Sequence, residues 1–182
     1  VIPKKKRRKV VPSNPVFEPE GCNDIWSADY KGSFLLGNKN RCYPLTICDS
    51  YSRLILSISV KHQESSTHVQ ETLTRIFKEY GLPKYFHTDN GSPFASVQSP
   101  CGYGRLSYWL IDHGVHPVFS DPGCPSQNGR HERMHKDLKA RCCKPAAYNL
   151  SSQNRRMQAF VNEYNEVRPH ESLDMSYPSR IH

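Results

Sequence analysis

The order of the apolar segments is the strongest constraint on this chain. From Asp24 onward they read as three strands, a helix, a strand, a helix, a strand and two helices. "DIWSADYKGSFLL" is strand-like, and "GNKN" (Gly37 to Asn40) reads as a hairpin turn. Two more strands follow, about Tyr43–Cys48 and Leu54–Val60, joined at "DSYSR". "SSTHVQETLTRIFKEYG" is a helix capped within Ser65–Thr67. Val69, Leu73, Ile76, Phe77 and Tyr80 form its apolar stripe, and Gly81 stops it. "PKYFHTD" is a fourth strand, "GYGRLSYWLIDHG" a helix and "VHPVFS" a fifth strand. "SQNGRHERMHKDLKARCC" and "SSQNRRMQAFVNEYNEV" are helices, the last stopped before Arg168-Pro169. Three antiparallel strands followed by β-α-β crossovers predict an α/β fold, a mixed five-stranded sheet flanked by helices.

The charge is uneven. Net charge is +8, and the run "PKKKRRKV" holds six bases (Lys4, Lys5, Lys6, Arg7, Arg8 and Lys9) and no acid. Removing those six from +8 leaves +2 for the rest. The run is read as a phosphate-binding segment acting through counterion release. It also resembles a nuclear import signal, and a solvated linker or a tag would look the same. With four prolines before Asp24, residues 1–22 are expected to be a Pro-rich basic tail and residues 23–182 the folded unit. Seven cysteines without a CxxC pair fit free thiols in a reduced compartment. No stretch approaches the ~20 apolar residues of a membrane span, and no apolar run follows the basic start as in a secretory signal.

Three acids stand out by context. Asp29 lies mid-strand among apolar neighbours, where a charge is rarely buried without a partner or a metal. Asp89 ends the fourth strand in "HTDNGSPF", and Asn90-Gly91 turns the chain at once. The plainer reading of Asp89 is an Asx-turn cap. Glu132 starts a helix, where the macrodipole tolerates an anion. It shares a face with Lys136 and Lys139, while Met134 and Leu138 form another. Two carboxylates on neighbouring strands and a third from a packed helix suit Mg²⁺ or Mn²⁺, and two such ions can drive phosphoryl displacement.

"WSADYKG", "HTDNGSPF", "PGCPSQNGRHERMHKDLK" and "FVNEYNEVRPHESLDMSYP", in this order over about Asp24 to Pro178, resemble the integrase-type catalytic core of bacterial insertion-sequence transposases. The resemblance implies a ribonuclease-H-like fold and a DDE triad at Asp29, Asp89 and Glu132. It implies two divalent ions (Mg²⁺ or Mn²⁺), Asp29 bridging them, with Asp89 on one and Glu132 on the other. It implies DNA, both element ends and target, as partner, cleavage followed by strand transfer, and a homo-oligomer in a bacterial, nucleoid-associated cytoplasmic setting. Lys136 and Lys139 are expected to meet phosphate. The spacing from Asp89 to Glu132, 43 positions, is longer than in retroviral integrases. Family members carry helix-turn-helix regions ahead of this core, so the chain reads as the core of a longer transposase. The alternatives are a ribonuclease-H-like nuclease without strand transfer and a non-catalytic DNA-binding domain.

Other residues carry plainer expectations. Asp49 reads as a turn former, and Asp112 and Asp121 as structural. His87, His131 and His135 flank the site, with His131 read as a solvent-facing helix residue. A zinc site from Cys101, His113, His116 and Cys124 lacks the tight ligand spacing of such sites. Arg168, in "VRPHESL", either touches DNA or helps dock the last helix. Phe160 and Tyr164 read as core.

Overall fold

A computed structural model describes residues 18–96, 99, 102–120 and 129–182. The basic run Lys4 to Lys9 lies outside them, as do Asp121, Cys101 and Cys124. The strands are β1 (Ile25–Tyr30), β2 (Phe34–Leu35), β3 (Arg41–Asp49), β4 (Ile55–Lys61), β5 (Tyr85–Thr88) and β6 (His116–Phe119). The helices are α1 (Ser66–Tyr80), α2 (Arg105–Asp112), α3 (Gly129–Leu138), α4 (Leu150–Glu166) and α5 (Pro178–Ile181). One π turn, Lys139–Cys143, extends α3.

The sheet runs β4-β3-β1-β5-β6, with the short β2 on the start of β3. β3 is antiparallel to β1 and β4, while β1, β5 and β6 are parallel. This is the expected mixed sheet, with one difference. The first predicted strand is broken in two, because Gly32 takes a φ of 82° and turns the chain after Tyr30.

Side-chain alternation sorts the core onto both faces of the sheet. Trp26 and Ala28 of β1, Leu45 and Ile47 of β3, and Phe86 of β5 pack with α1 and α2 through Val69, Leu73, Ile76, Leu106 and Leu110. Cys42 of β3 and Ile55, Ile58 and Val60 of β4 pack with α3 and α4 through Met134, Leu138, Met157 and Phe160. Asn165 of α4 covers the β4 edge. Its Oδ1 accepts from Ile55 N and its Nδ2 donates to Ile55 O, as a neighbouring strand would.

Helix α1 follows its sequence signals. Ser65 caps it, accepting from His68 N, and Gly81 ends it at φ 87°, ψ −166°. That conformation is nearly exclusive to glycine, and a Cβ there would meet nothing within 4 Å. Gly81→Ala is therefore expected to destabilise by about 1–3 kcal/mol through backbone strain alone. Urea unfolding checks this, and an unchanged midpoint would contradict it.

Asp49 is the turn former that its context predicts. Its buried carboxylate accepts from Asn23 N, Tyr51 N, Ser52 N and Ser52 Oγ. The described cysteines are unpaired, and Cys42, Cys142 and Cys143 are buried.

Candidate active site

Strand register brings the two aspartates together. β1 and β5 are parallel with Ile25 beside Tyr85 and Ser27 beside His87. Continuing that register two residues sets Asp29 against Asp89, at the carboxyl ends of neighbouring strands. Trp26, Ala28 and Phe86 point to the α1 side, so alternation turns Asp29 and Asp89 to the α3 side. Ligand sites of open α/β sheets favour this end of the strands.

The electrostatics agree. Burial, then the Asp89 carboxylate, pushes Asp29 up to about 7, Lys31 lowers it and Glu64 raises it further. Two carboxylates at one strand end, one of them half-buried, repel each other, and a cation relieves that repulsion. The donor set is all oxygen and suits a hard divalent ion. The described residues contain no cluster of three His, Cys, Asp or Glu side chains close enough to hold a metal. Glu132 stands exposed in the first turn of α3.

Asp89 also makes the Asx-turn. Its Oδ1 accepts from Gly91 N at 3.1 Å. Neither Asn90 nor Gly91 takes a positive φ, so the turn does not use the freedom expected of Asn-Gly. The glycine serves contact instead. A Cβ on Gly91 would lie 3.1 Å from Asp89 Oδ2 and 3.3 Å from Oδ1. Gly91→Ala should push the carboxylate aside, lowering Mn²⁺ affinity by about 10–100-fold while changing stability by under about 1 kcal/mol. Calorimetric titration beside a urea melt checks both, and unchanged affinity would contradict the contact argument.

Helix α3 docks on this face through histidines, which corrects the expectation for His131. It is only 4% exposed and His135 only 8%. His131, Met134, His135 and Leu138 sit at i, i+3, i+4 and i+7, the spacing of a core-facing stripe. Burial pushes the rings down, to about 4 for His131 and about 3 for His135, with neighbouring histidines adding to it. Both are neutral near pH 7. His135 Nδ1 lies 3.7 Å from Asp29 Oδ2, and with a neutral ring this contact is not an ion pair. His135 Nε2 meets Thr46 Oγ1 at 2.8 Å, and Thr46 Oγ1 donates to Asp29 O at 2.9 Å. Thr46 is the β3 residue paired with Asp29. His131 Nε2 is buried without a hydrogen-bond partner, and His87 Nε2 meets Ser120 Oγ at 3.0 Å.

Sequence reasoning also missed Glu64 and Lys31. Glu64 precedes the Ser65 cap of α1, and the Tyr30 hydroxyl ties that turn to the end of β1. Burial and the Asp89 charge push Glu64 up.

The expected phosphate contacts divide. Lys136 and Lys139 are exposed, away from the buried Met134 and Leu138. Arg168 is paired with Asp137 of α3, Nη1 to Oδ2 at 2.6 Å, which docks the end of α4 on α3. His113 Nδ1 is engaged with Trp109 O. Phe160 is buried and Tyr164 packs beside it, as expected of core residues.

A family model described as Integrase core domain matches residues 19–125, and a second of the same description matches residues 113–178. A 39.2 kDa protein of insertion element IS476 from Xanthomonas euvesicatoria is 29% identical over 97% of this chain and 50% of its own length. A 31.7 kDa protein of insertion element IS407 from Burkholderia multivorans is 27% identical over 98% of this chain and 62% of its own. The chain thus spans about half to three-fifths of these relatives. The integrase catalytic core domain of HTLV-2, solved with magnesium in a trimeric form, superposes with a TM-score of 0.69 at 18% identity, covering 91% of this chain and 99% of that one. A simian T-cell lymphotropic virus intasome chain gives 0.73 at 18% identity, covering 92% and 56%. The fold is therefore the ribonuclease-H-like fold of integrase cores.

Proposed function

From the premise that this chain belongs to the integrase core domain family, matched over residues 19–125, we propose that it is the catalytic core of an insertion-sequence transposase that cuts and joins DNA strands. One observation carries the reading: two aspartates meet on one face at the carboxyl ends of parallel strands, in an electrostatic state that calls for a cation. The magnesium in a solved integrase core supports the same metal class.

Asp29 and Asp89 would hold the first divalent ion, Mg²⁺ or Mn²⁺. Glu132, exposed in the first turn of α3, would complete a DDE triad for two ions. When bound, the metal polarises the phosphodiester and activates the attacking oxygen. The protein supplies position. Lys136 and Lys139 lie on the exposed side of α3, placed to meet phosphate oxygens, and the basic run Lys4 to Lys9 adds affinity without reading sequence.

In the cleavage step, a water oxygen bonds to phosphorus, the bond to the 3′ oxygen breaks, and that oxygen leaves as a 3′ hydroxyl. In the joining step, this hydroxyl attacks a target phosphodiester in line, displacing the target's 3′ oxygen. Neither step needs a covalent protein intermediate. The bacterial insertion-element relatives support a cytoplasmic, nucleoid-associated setting, and the dimeric and trimeric forms of a solved core support a homo-oligomer. No described helix is long and apolar enough to cross a membrane.

Labelled duplexes ending in a free 3′ hydroxyl, mixed with plasmid and Mn²⁺, test the reading. Joined products that vanish on Asp29→Asn are expected. Nicking without joining would assign a nuclease instead, and DNA binding with neither activity would leave only a binding domain.

A further inference from the structure

Strand β1 and helix α3 run side by side in matched steps. Ser27 and His131 line one small cavity. Two residues on, Asp29 lies 3.7 Å from His135, one turn along α3. Two residues further, the ladder still holds: Lys31 N donates to Pro44 O at 3.0 Å, one step beyond the pairing of Tyr30 with Leu45. Side-chain alternation therefore turns Lys31 to the same α3 side as Asp29. One more turn along α3 comes Lys139, which opens the π turn. Cys143, buried in that turn, feels both cations: burial raises its thiol, and the charges of Lys31, Lys139 and Arg156 lower it. Lys31 thus stands past Asp29 at the carboxyl end of β1, beside the turn that carries Lys139.

Neighbouring cations repel, and an anion between them relieves the repulsion. The arginines at this end of α3 are engaged: Arg156 donates to Pro145 O, Arg141 pairs with Glu163, and Arg168 pairs with Asp137. Among the described residues, neither the Lys31 nor the Lys139 ammonium has such a partner. Lys31 is half-buried and Lys139 exposed, so the pair is open on one side. We propose that Lys31 binds a backbone phosphate of DNA together with Lys139, as a two-lysine clamp beside Asp29. The inference rests on the reading of this strand end as a DNA-processing site. Carboxylates gathered to hold a cation repel a phosphodiester, and a lysine on the same face offsets that repulsion. Lysine suits the task, because its ammonium is a point charge with three donors on a flexible stem. Such a contact reads no base, so it positions the strand without selecting its sequence.

The salt dependence of DNA binding tests the clamp, with the full chain, a labelled duplex and metal-free buffer. Each neutralised phosphate contributes about 0.9 to the slope of log affinity against log salt on duplex DNA. Lys31→Gln is expected to reduce that slope by about one and to weaken binding by about three- to tenfold near 0.1 M salt, for every sequence alike. Lys31→Arg should keep the slope. So should Lys78→Gln, which alters a lysine exposed in the last turn of α1, on the other face of the sheet. Mn²⁺ affinity without DNA should not fall in Lys31→Gln, because a cation beside Asp29 opposes a metal ion; a fall would overturn the inference by showing that Lys31 supports the metal site instead. An unchanged slope in Lys31→Gln would overturn it too and leave the metal reading standing. Acetylation of the wild type, read by mass spectrometry, keeps the test open if Lys31→Gln fails to fold. Saturating duplex should protect Lys31 and Lys139 but not Lys78, and an unprotected Lys31 would overturn the inference. A wild type that binds no duplex would overturn the DNA reading first, and this inference with it.

Discussion

Asp29→Asn and Asp89→Asn are each expected to lower DNA strand joining at least about 10³-fold, with the fold intact. The scale follows from what the carboxylates would do: a group that places the charge-stabilising element of a phosphoryl transfer supplies several kcal/mol at the transition state. Replacing either removes one of two negative donors and leaves the amide a weak one. The loss should appear in the rate at saturating DNA rather than in DNA affinity, because neither side chain is placed to bind phosphate on its own. Single-turnover joining assays with DNA titrations separate the two. A variant with weakened DNA binding and an unchanged rate would contradict the assignment.

The second large effect is on stability and needs no DNA. Burial and the Asp89 carboxylate hold Asp29 at about 7 in the folded chain, against about 3.9 in an unfolded one. A raised folded value means that the folded state binds the extra proton. Its contribution is complete below about pH 4 and is lost as pH rises through about 7. Metal-free wild type should therefore weaken across this window. Asp29→Asn removes the charge, so the two proteins should match near pH 4, and the variant should be more stable by about 2–4 kcal/mol at pH 8. Saturating Mn²⁺ should restore the wild type, by about 2.7 kcal/mol at a hundred times its dissociation constant. Urea melts at each pH give the comparison. Parallel curves would show that Asp29 carries no such strain.

The two predictions pull in opposite directions on one residue, as expected of a functional carboxylate. The repulsive pair costs the metal-free fold stability, and a bound cation would relieve it. Asp49 is the contrast. It is also an aspartate, and more deeply buried, but four donors surround its carboxylate and it shapes a turn.

Much of this was legible in the residues. The strand and helix order predicted the mixed sheet, and Ser65 and Gly81 bounded α1 because caps and stops are local signals. The places of Asp29 within a strand and of Asp89 just past the end of another were legible. What the sequence hid was the identity of neighbours. Glu64 sits in a polar loop with no pattern of its own, and the Tyr30 hydroxyl, reaching across from β1, ties that turn toward the aspartates. The burial of His131 and His135 was recoverable. They complete a core-facing stripe with Met134 and Leu138, but a histidine read by polarity alone looks solvent-facing. The Asn90-Gly91 pair marks a turn in the sequence, but nothing local shows that the missing Cβ of Gly91 makes room for the Asp89 carboxylate. Arg168 could dock a helix or meet DNA on sequence grounds; the structure pairs it with Asp137 of α3.

Calorimetric titration of Mn²⁺ into this chain and into the Asp29→Asn/Asp89→Asn double variant tests the central claim most directly. Millimolar or tighter binding to the wild type that disappears in the double variant is the predicted result. Equal binding to both proteins would contradict it, because the ion would then sit elsewhere and the paired aspartates would have no part in holding it.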